Sequence, residues 1–189
     1  VLHEVAEKND RLFFEAARHI HGEEFHSLKQ KIDQLMVESK KPFLGGNFTF
    51  GQYSSRYDQY LEALAAGEKV PNVFSPQFAG GTMMDLSIYP LYLAVALFGL
   101  PEESKMFTVD GPNGVDLVNQ IILRYETGEL LNIFVSKSVH SLQKNELYFG
   151  DHTLVFDSVS EIGEVKLYDR NNEQLSSEYL PFDNPLSAE

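Results

Sequence analysis

The chain of 189 residues contains no cysteine. Disulfide bonds and thiolate metal sites are therefore excluded, because both require cysteine side chains. A protein without cysteine is compatible with a reducing compartment, and we therefore predict a cytoplasmic location. The length predicts one main domain, since domains usually run to roughly 100 to 200 residues.

Positive charge is also scarce. Lysine and arginine together number 15 against 28 aspartates and glutamates, which gives a formal net charge of -13 at pH 7. A surface of this sign repels phosphate backbones and anionic lipid headgroups. We therefore predict that neither nucleic acid nor a membrane is a partner.

Long hydrophobic runs are missing as well. Residues 86–100 are almost wholly apolar, but the run is shorter than the roughly 20 residues that a bilayer requires. It also contains Tyr89, Pro90 and Tyr92. We interpret it as a core helix. Residues 1–10 alternate charged and apolar side chains without a long apolar centre, which is not typical of a signal peptide.

The remaining pattern predicts helices first and strands afterwards. Apolar residues at steps of three and four over Glu23–Glu38 predict an amphipathic helix. Residues 1–10 predict a short helix, residues 11–17 a short buried strand, and residues 43–53 a long strand with a bend at its glycine pair. Six further runs separated by turn pairs predict an antiparallel meander: residues 105–110, 115–125, 129–139, 144–149, 153–157 and 164–168.

This order of elements is typical of an α+β fold. We predict one open, mainly antiparallel β-sheet with helices packed on one face. Leu131, Ile133 and Val135 alternate with small polar or aromatic residues, so one face of the sheet is apolar and the other is mixed. The mixed face is a candidate contact for a second subunit.

The candidate chemical centre is the segment that begins at Gly80-Gly81. It places Asp85 and Tyr89 four residues apart in an otherwise apolar helix, so both side chains are expected on the same face. A positioned tyrosine can transfer a proton, and a carboxylate beside it can orient a hydroxyl group. Structural roles remain open: the Tyr89 hydroxyl can pair with a backbone acceptor, and Asp85 can cap the helix. The glycine pair predicts a turn with positive φ before the helix.

The histidines suggest a metal site only weakly. His19, His21 and His26 lie near Glu23 and Glu24, but the H-E-x-x-H spacing that places two imidazoles on one helical face is absent. We therefore predict no metal. The favoured interpretation is a solvated loop from which His19 or His21 lines a substrate cleft.

Three motifs carry a family resemblance. They are Glu15-Ala-Ala-Arg-His19, the loop Ser54-Ser-Arg-Tyr-Asp58, and Ala79-Gly-Gly-Thr-Met-Met-Asp85-Leu-Ser-Ile-Tyr89-Pro90. Together they resemble the second half of the glucose-fructose oxidoreductase, inositol dehydrogenase and MocA family. The trans-1,2-dihydrobenzenediol dehydrogenase branch is the most similar part of that family.

The resemblance implies a domain organisation. Members of the family join an N-terminal Rossmann domain, which binds NAD or NADP, to a C-terminal domain of the glyceraldehyde-3-phosphate dehydrogenase type whose open sheet forms a homodimer contact. We expect residues 1–20 to be the remnant of a missing Rossmann domain and residues 21–189 to be the C-terminal domain. The chain has no G-x-G-x-x-G fingerprint, so no cofactor-binding residue is expected in it. The family's Glu-Lys-Pro motif would precede Val1.

The resemblance also implies a reaction. An NAD(P)-dependent oxidoreductase of this kind transfers hydride between the nicotinamide and a hydroxyl-bearing carbon of a sugar, polyol or cyclic diol. Tyr89 would exchange the hydroxyl proton, Asp85 would orient the substrate or Tyr89, and Arg18 would contact substrate or cofactor. The isolated chain is expected to be inactive. The alternatives are a non-catalytic regulatory or assembly domain of the same fold, and a free-standing binding module.

Overall fold

A computed structural model describes residues 1–13, 17–39 and 42–180. The α-helices are α1 (Leu2–Lys8), α2 (Glu23–Glu38), α3 (Tyr57–Ala66) and α4 (Ile88–Phe98). A π-helical turn, Met83–Ser87, leads directly into α4. Single 3-10 turns lie at Arg18–Ile20, Asn72–Phe74 and Pro76–Phe78. The strands are β1 (Gly45–Gly51), β2 (Glu103–Asp110), β3 (Asp116–Arg124), β4 (Leu130–Ser136), β5 (Asn145–Tyr148), β6 (His152–Phe156), β7 (Gly163–Asp169) and β8 (Gln174–Leu180).

These strands form a single sheet in the order β2-β3-β4-β1-β5-β6-β7-β8. Neighbours run antiparallel except β1 and β4, which pair in parallel with Phe48 opposite Ile133. The uninterrupted antiparallel meander that the sequence predicts is therefore wrong at this point, because β1 separates β4 from β5. A parallel pair requires a long crossover, and the chain from α3 to β3 provides it.

One face of the sheet is buried and the other is open. Leu131, Ile133 and Val135 of β4 are fully buried, whereas Asn132 and Phe134 line the open face. Each large apolar side chain that is buried contributes about 1.5 to 3 kcal/mol, so the apolar face holds the helices that cover it. The predicted α+β class, an open and mainly antiparallel sheet with helices on one face, is confirmed.

Helix α2 forms over the residues that the periodicity predicts. Phe25, Leu28 and Ile32 of this helix are buried in the main core. On its outer side Lys29 and Asp33 form an ion pair at 3.6 Å. The apolar stripe of α2 therefore covers the sheet, as expected from its spacing.

The apolar segment Pro76–Phe98 has the length and composition of a membrane-spanning helix, with a mean hydropathy of 1.4. It is not one continuous helix, because Ala79 (φ 50°) and Gly81 (φ 120°) adopt positive φ angles. The uninterrupted helical stretch begins at Met83. Leu93 of α4 is completely buried in the main core, so this segment supplies a core helix of the domain.

A smaller apolar cluster lies beside the main core. Tyr60, Phe74, Val115 and Leu117 are its buried members. The Tyr60 hydroxyl donates a hydrogen bond to Oδ1 of Asn113 at 2.8 Å, and Nδ2 of Asn113 donates to the carbonyl oxygen of Phe74 at 2.8 Å. These hydrogen bonds fix the position of the turn that carries Phe74.

Two sequence expectations about the ends of the chain require correction. Residues 11–13 and 17 are not in a strand, so the predicted strand is wrong there, and residues 14–16, including Glu15 and Ala16 of the first motif, lie outside the described residues. Strand β8 was not predicted, because its side chains are mostly exposed and polar. Residues 181–189 also lie outside the described part of the chain.

Candidate active site

A cleft of about 580 Å³ lies where β1 ends, beside the start of α4. Its walls come from Arg18, the end of β1, the turn into α4, and the loops that follow β4 and β6. A larger concavity of about 1020 Å³ covers the open face of the sheet, but it contains none of the predicted site residues. Asp85, Tyr89 and Arg18 all line the smaller cleft, so we place the candidate active site there.

Gly81 and Asp116 shape the turn that leads into α4. Gly81 has φ 120°, which confirms the predicted positive φ for one residue of the glycine pair, whereas Gly80 does not adopt a positive φ. The Asp116 carboxylate accepts hydrogen bonds from the backbone amide of Met83 at 2.6 Å and from Nδ2 of Asn119 at 2.7 Å. It thereby satisfies an amide at the start of the helical segment. The capping role considered for Asp85 is thus filled by Asp116.

The helical segment begins with a π-helical turn, Met83–Ser87, that contains Asp85. Pro90 follows in the first turn of α4 and provides no backbone N–H, which interrupts the regular hydrogen-bond ladder at this point. Wide π-helical turns of this kind frequently occur at functional sites. Here the turn presents Asp85 at the wall of the cleft.

Asp85 forms an ion pair with Lys137. Nζ of Lys137 lies 2.6 Å from Oδ2 of Asp85. The Lys137 side chain is 2% exposed and that of Asp85 is 50% exposed, so the carboxylate extends from the protein interior to the cleft. No other hydrogen bond to this carboxylate comes from the residues that the structure describes. Among the described residues, Oδ1 of Asp85 therefore has no hydrogen-bond donor.

Tyr89 is held by aromatic contacts on two sides. Its ring centroid lies 5.5 Å from that of Phe50, in an edge-to-face arrangement, and 5.0 Å from that of His19. Its hydroxyl has no hydrogen-bond partner in the described parts of the chain, and the residue lines the cleft. Asp85 and Tyr89 thus share one cleft without a hydrogen bond between them. A fixed phenol with an unengaged hydroxyl suits proton transfer to a bound ligand.

His19 lies behind Tyr89 instead of on the cleft wall. It is 3% exposed, and its Nε2 atom is 3.0 Å from the carbonyl oxygen of Tyr89. A carbonyl oxygen only accepts, so Nε2 carries the proton. Burial lowers the pKa of His19 below its ordinary value, and the positive charge of Arg18 acts in the same direction. His19 is thus a neutral support for Tyr89, and its burial argues against the direct substrate contact that we expected.

A dependence of stability on pH follows from the burial of His19. Because its pKa is lowered in the folded protein, the unfolded chain binds a proton first as the pH falls below the ordinary histidine value of 6.5. The free energy of unfolding should therefore decrease between about pH 7 and about pH 5, by at most about 1.4 kcal/mol per pH unit for this group. Urea unfolding across that range measures the slope.

The His19→Gln variant should flatten this slope, because glutamine can still donate to the Tyr89 carbonyl oxygen but does not titrate. His3→Gln is the matched control, since His3 is exposed on α1, and it should retain the wild-type slope. Carboxylates with lowered pKa values, such as Asp157 and Asp169, lose their contribution only at more acidic pH. Equal slopes for wild type and His19→Gln would contradict the assignment.

Arg18 and His21 have different positions. Arg18 lies in the 3-10 turn Arg18–Ile20 and lines the cleft. His21 is exposed and is not among the residues that line the cleft. In the described residues there is no group of three or more histidine, aspartate or glutamate side chains that could hold a metal ion.

Several residues of the cleft, and one residue buried behind it, were not identified from the sequence. Lys137 is the most informative, because it continues the buried alternation of Leu131, Ile133 and Val135, and a lysine on an apolar face requires a partner. The two-residue spacing of Lys137 from Val135 could therefore have indicated a buried lysine with a partner. The other missed residues carry no periodic signal because they lie in loops: His140, Ser141, Gln143, Ser158, Ser160 and Glu161.

Two curated proteins are similar to this chain in sequence. YgjR of Escherichia coli K12, an uncharacterized oxidoreductase, is 32% identical over 169 residues, which is 89% of this chain and 48% of that protein. IolU of Bacillus subtilis 168, a scyllo-inositol 2-dehydrogenase (NADP(+)), is 34% identical over 111 residues, which is 59% of this chain and 32% of that protein. The chain thus spans about half the length, or less, of these relatives.

A solved structure shares the fold at low sequence identity. KijD10, a 3-ketoreductase from Actinomadura kijaniata in complex with NADP and TDP-benzene, superimposes with a TM-score of 0.74 at 13% identity. The match covers 95% of this chain and 52% of that chain. The sequence model of the GFO/IDH/MocA C-terminal domain matches residues 50–154. Because this match covers more than half of the chain, the protein belongs to the GFO/IDH/MocA family.

Proposed function

We propose that this chain is the substrate-binding part of an NAD(P)-dependent oxidoreductase that acts on a hydroxyl-bearing carbon of a sugar, polyol or cyclic diol. The observation that carries the proposal is that the Asp85 carboxylate shares one cleft with the Tyr89 hydroxyl, which has no hydrogen-bond partner among the described residues. The family to which the chain belongs supports an oxidoreductase. The finer assignment to the dihydrobenzenediol dehydrogenase branch rests on tyrosine at position 89.

The glycine pairs of this chain do not fit a dinucleotide. A Cβ atom on Gly45 would overlap the carbonyl oxygen of Leu130, since this glycine starts a central strand. A Cβ on Gly80 would lie 2.6 Å from the carbonyl oxygen of Asn72. Both backbones are thus packed against protein atoms and leave no room for a pyrophosphate. NAD or NADP would be bound by a further domain, and hydride transfer is the chemistry that it supplies there.

The division of the chain into two parts belongs to the same proposal. Residues 1–20 would belong to the end of a Rossmann domain and residues 21–189 to the domain described here. Leu2 and Val5 of α1 and the preceding Val1 are exposed, and no residue of α1 is buried. An apolar helix stripe left in water supports packing against a further domain.

We assign a different role in the proposed reaction to each residue in and behind the cleft. Tyr89 donates or accepts the proton of the substrate hydroxyl, since its ring is fixed and its own hydroxyl has no hydrogen-bond partner in the described parts of the chain. Asp85 accepts a hydrogen bond from a substrate hydroxyl through Oδ1. Arg18 contacts substrate from the cleft wall, His19 supports Tyr89 from behind, and the exposed His21 contributes least.

The chemistry of the cleft walls supports a substrate rich in hydroxyl groups. The loops after β4 and β6 contribute Ser141, Gln143, Ser158 and Ser160, and Phe50 offers an apolar surface beside Tyr89. Such a wall of hydroxyl and amide groups can donate to and accept from the hydroxyls of one ring. Arginine and carboxylate side chains are both present, so the wall does not select for a strongly charged substrate.

The open face of the sheet is the proposed contact of a homodimer. A hydrogen-bonded row crosses β4, β1 and β5: Nδ2 of Asn132 donates to Oδ1 of Asn47 at 3.1 Å, Nδ2 of Asn47 donates to the Tyr148 hydroxyl at 2.5 Å, and that hydroxyl donates to Glu146 at 2.6 Å. Burial raises the pKa of Tyr148 to about 12, with help from Glu146. Together with the partly buried Phe134, this ordered polar surface supports pairing with a second copy.

We also propose a cytoplasmic location.

Turnover by the full-length protein tests the proposal. NAD and NADP are each offered with a panel of sugars, inositols, linear polyols and trans cyclic diols, and reduction of the nicotinamide is followed by its absorbance. We expect turnover with at least one hydroxylated ring, and we expect calorimetry on this chain alone to show no nicotinamide binding. Binding of a polyol without turnover by the full-length protein would instead favour the regulatory or assembly alternative.

A further inference from the structure

We infer that Lys137 is a positioning residue, which fixes the Asp85 carboxylate on the wall of the cleft. The inference rests on the proposed function, because the role of Asp85 in the reaction belongs to that proposal. The ion pair between Lys137 and Asp85 does not depend on the proposed function, because it is a contact observed within this chain.

The backbone of Lys137 is held by the sheet. Lys137 follows β4 directly, its amide donates to the carbonyl oxygen of Leu117 at 3.1 Å, and its carbonyl oxygen accepts from the amide of Ser54 at 2.9 Å. Neighbouring Ser136 donates its hydroxyl to the same Leu117 carbonyl oxygen at 3.2 Å. The lysine therefore starts from a rigid position between two other segments.

The ammonium group of Lys137 has three partners among the described residues. It donates to the carbonyl oxygen of Val73 at 3.0 Å and to Oδ2 of Asp85 at 2.6 Å. It also lies 4.8 Å from the ring centroid of Phe74, a distance that allows a cation–π contact. Burying a lysine is costly unless it is paired in this way. These partners hold the side chain in one arrangement.

Lys137 is not placed to exchange a proton with substrate. Its side chain is 2% exposed and does not line the cleft, whereas Asp85 does. Its influence on the reaction must therefore pass through Asp85. It is also distinct from the lysine of the Glu-Lys-Pro motif, which the family resemblance places upstream of Val1.

The consequence for Asp85 is a fixed orientation. The carboxylate sits on a π-helical turn and, within the described residues, its hydrogen-bond partner is Lys137. With Oδ2 held by Lys137, the Asp85 carboxylate is fixed on the wall of the cleft. A displacement of about 1 Å in a group that orients substrate can lower a rate by about 10²-fold.

The test is a double-mutant cycle in the full-length protein with the best substrate of the panel. Lys137→Met keeps a similar apolar stem without the charge, and we expect kcat to fall by about 10²-fold with a smaller change in KM. Asp85→Asn should produce a loss of similar size. In the Asp85→Asn background, adding Lys137→Met should change kcat by no more than about twofold, because the two residues act as one unit.

The matched control is Lys166→Met. Lys166 pairs with Glu164 at 2.8 Å on β7 and does not line the cleft, so its loss should leave kcat within about twofold of wild type. Additive effects of Lys137→Met and Asp85→Asn would overturn the inference, since a purely structural lysine would lower activity in either background. If Lys137→Met does not fold, Lys137→Gln, which can still donate to Val73, takes its place in the cycle.

Crystal structures separate this inference from the proposed function. In Lys137→Met we expect the Asp85 carboxylate to move by about 1 Å or more from its wild-type position. If the wild-type protein turns over no member of the panel, the proposed function fails, but the crystal structures still decide whether Lys137 positions Asp85. An unmoved carboxylate in the variant would refute the positioning role whatever the activity.

Discussion

The Tyr89→Phe variant of the full-length protein should lose about 10³-fold in kcat/KM, which is the usual scale of a general acid–base contribution. The substitution removes one hydroxyl that has no hydrogen-bond partner within the described residues. The ring contacts with Phe50 and His19 are unchanged by it. The loss should therefore lie in the chemical step. Initial-rate kinetics with the best substrate and its cofactor measure it.

Stability and a matched tyrosine provide the controls. The melting temperature should stay within a few degrees of wild type, because no packing contact is lost. Tyr92→Phe, on the same helix but outside the cleft lining, should retain activity within about twofold. If Tyr89→Phe keeps the full rate while wild type turns over, Tyr89 is not the proton-transfer group. Arg18 and His140, which also line the cleft, would then be the next candidates for this role.

The fold could be predicted where one periodicity dominated a segment. The steps of three and four in Glu23–Glu38 predicted α2 with the observed bounds. The alternation of β4 predicted which of its side chains face the core, because a period of two leaves only one assignment of faces. The pairing of β1 with β4 could not be found in this way. Periodicity describes the faces of a strand and carries no information about its neighbours.

The candidate site was predictable only in its local part. Asp85 and Tyr89 stand out because polar side chains interrupt an apolar helix, and both line the cleft. The partner of Asp85 is Lys137, which is distant in the sequence and is brought to it by the sheet. His140 and the serines of the loops reach the cleft through tertiary structure alone, since a loop has no period that would indicate their direction.

Asp116 links the fold to the site. It starts β3 in the crossover between β1 and β4, and it caps the amide of Met83 at the beginning of the helical segment that carries Asp85. Its neighbour Asn119 is fully buried and donates to it and, at 3.4 Å, to Ser87. The position of the helical segment therefore depends on how closely the backbone before it can approach Asp116.

Gly81→Ala should disrupt this arrangement with the largest loss of stability of the substitutions considered. A Cβ atom at this position would overlap Oδ1 of Asp116, and the φ angle of 120° is strained for any residue with a side chain. The backbone strain costs about 1 to 3 kcal/mol, and disturbing the Asp116 hydrogen bonds costs about 1 to 3 kcal/mol more. We expect the free energy of unfolding to fall by about 3 to 5 kcal/mol.

Gly99→Ala separates the two causes. Gly99 also has a positive φ, 81°, but a Cβ atom there would meet nothing within 4 Å. It should therefore show the backbone strain alone and lose about 1 to 3 kcal/mol. Urea unfolding of both variants measures the difference, and kinetics of the full-length proteins should show lost activity for Gly81→Ala only, because that change displaces the turn before Asp85. Equal losses of stability in the two variants would mean that the contact with Asp116 does not constrain the turn. Asp116 of β3 would then not determine the position of the helical segment at the cleft.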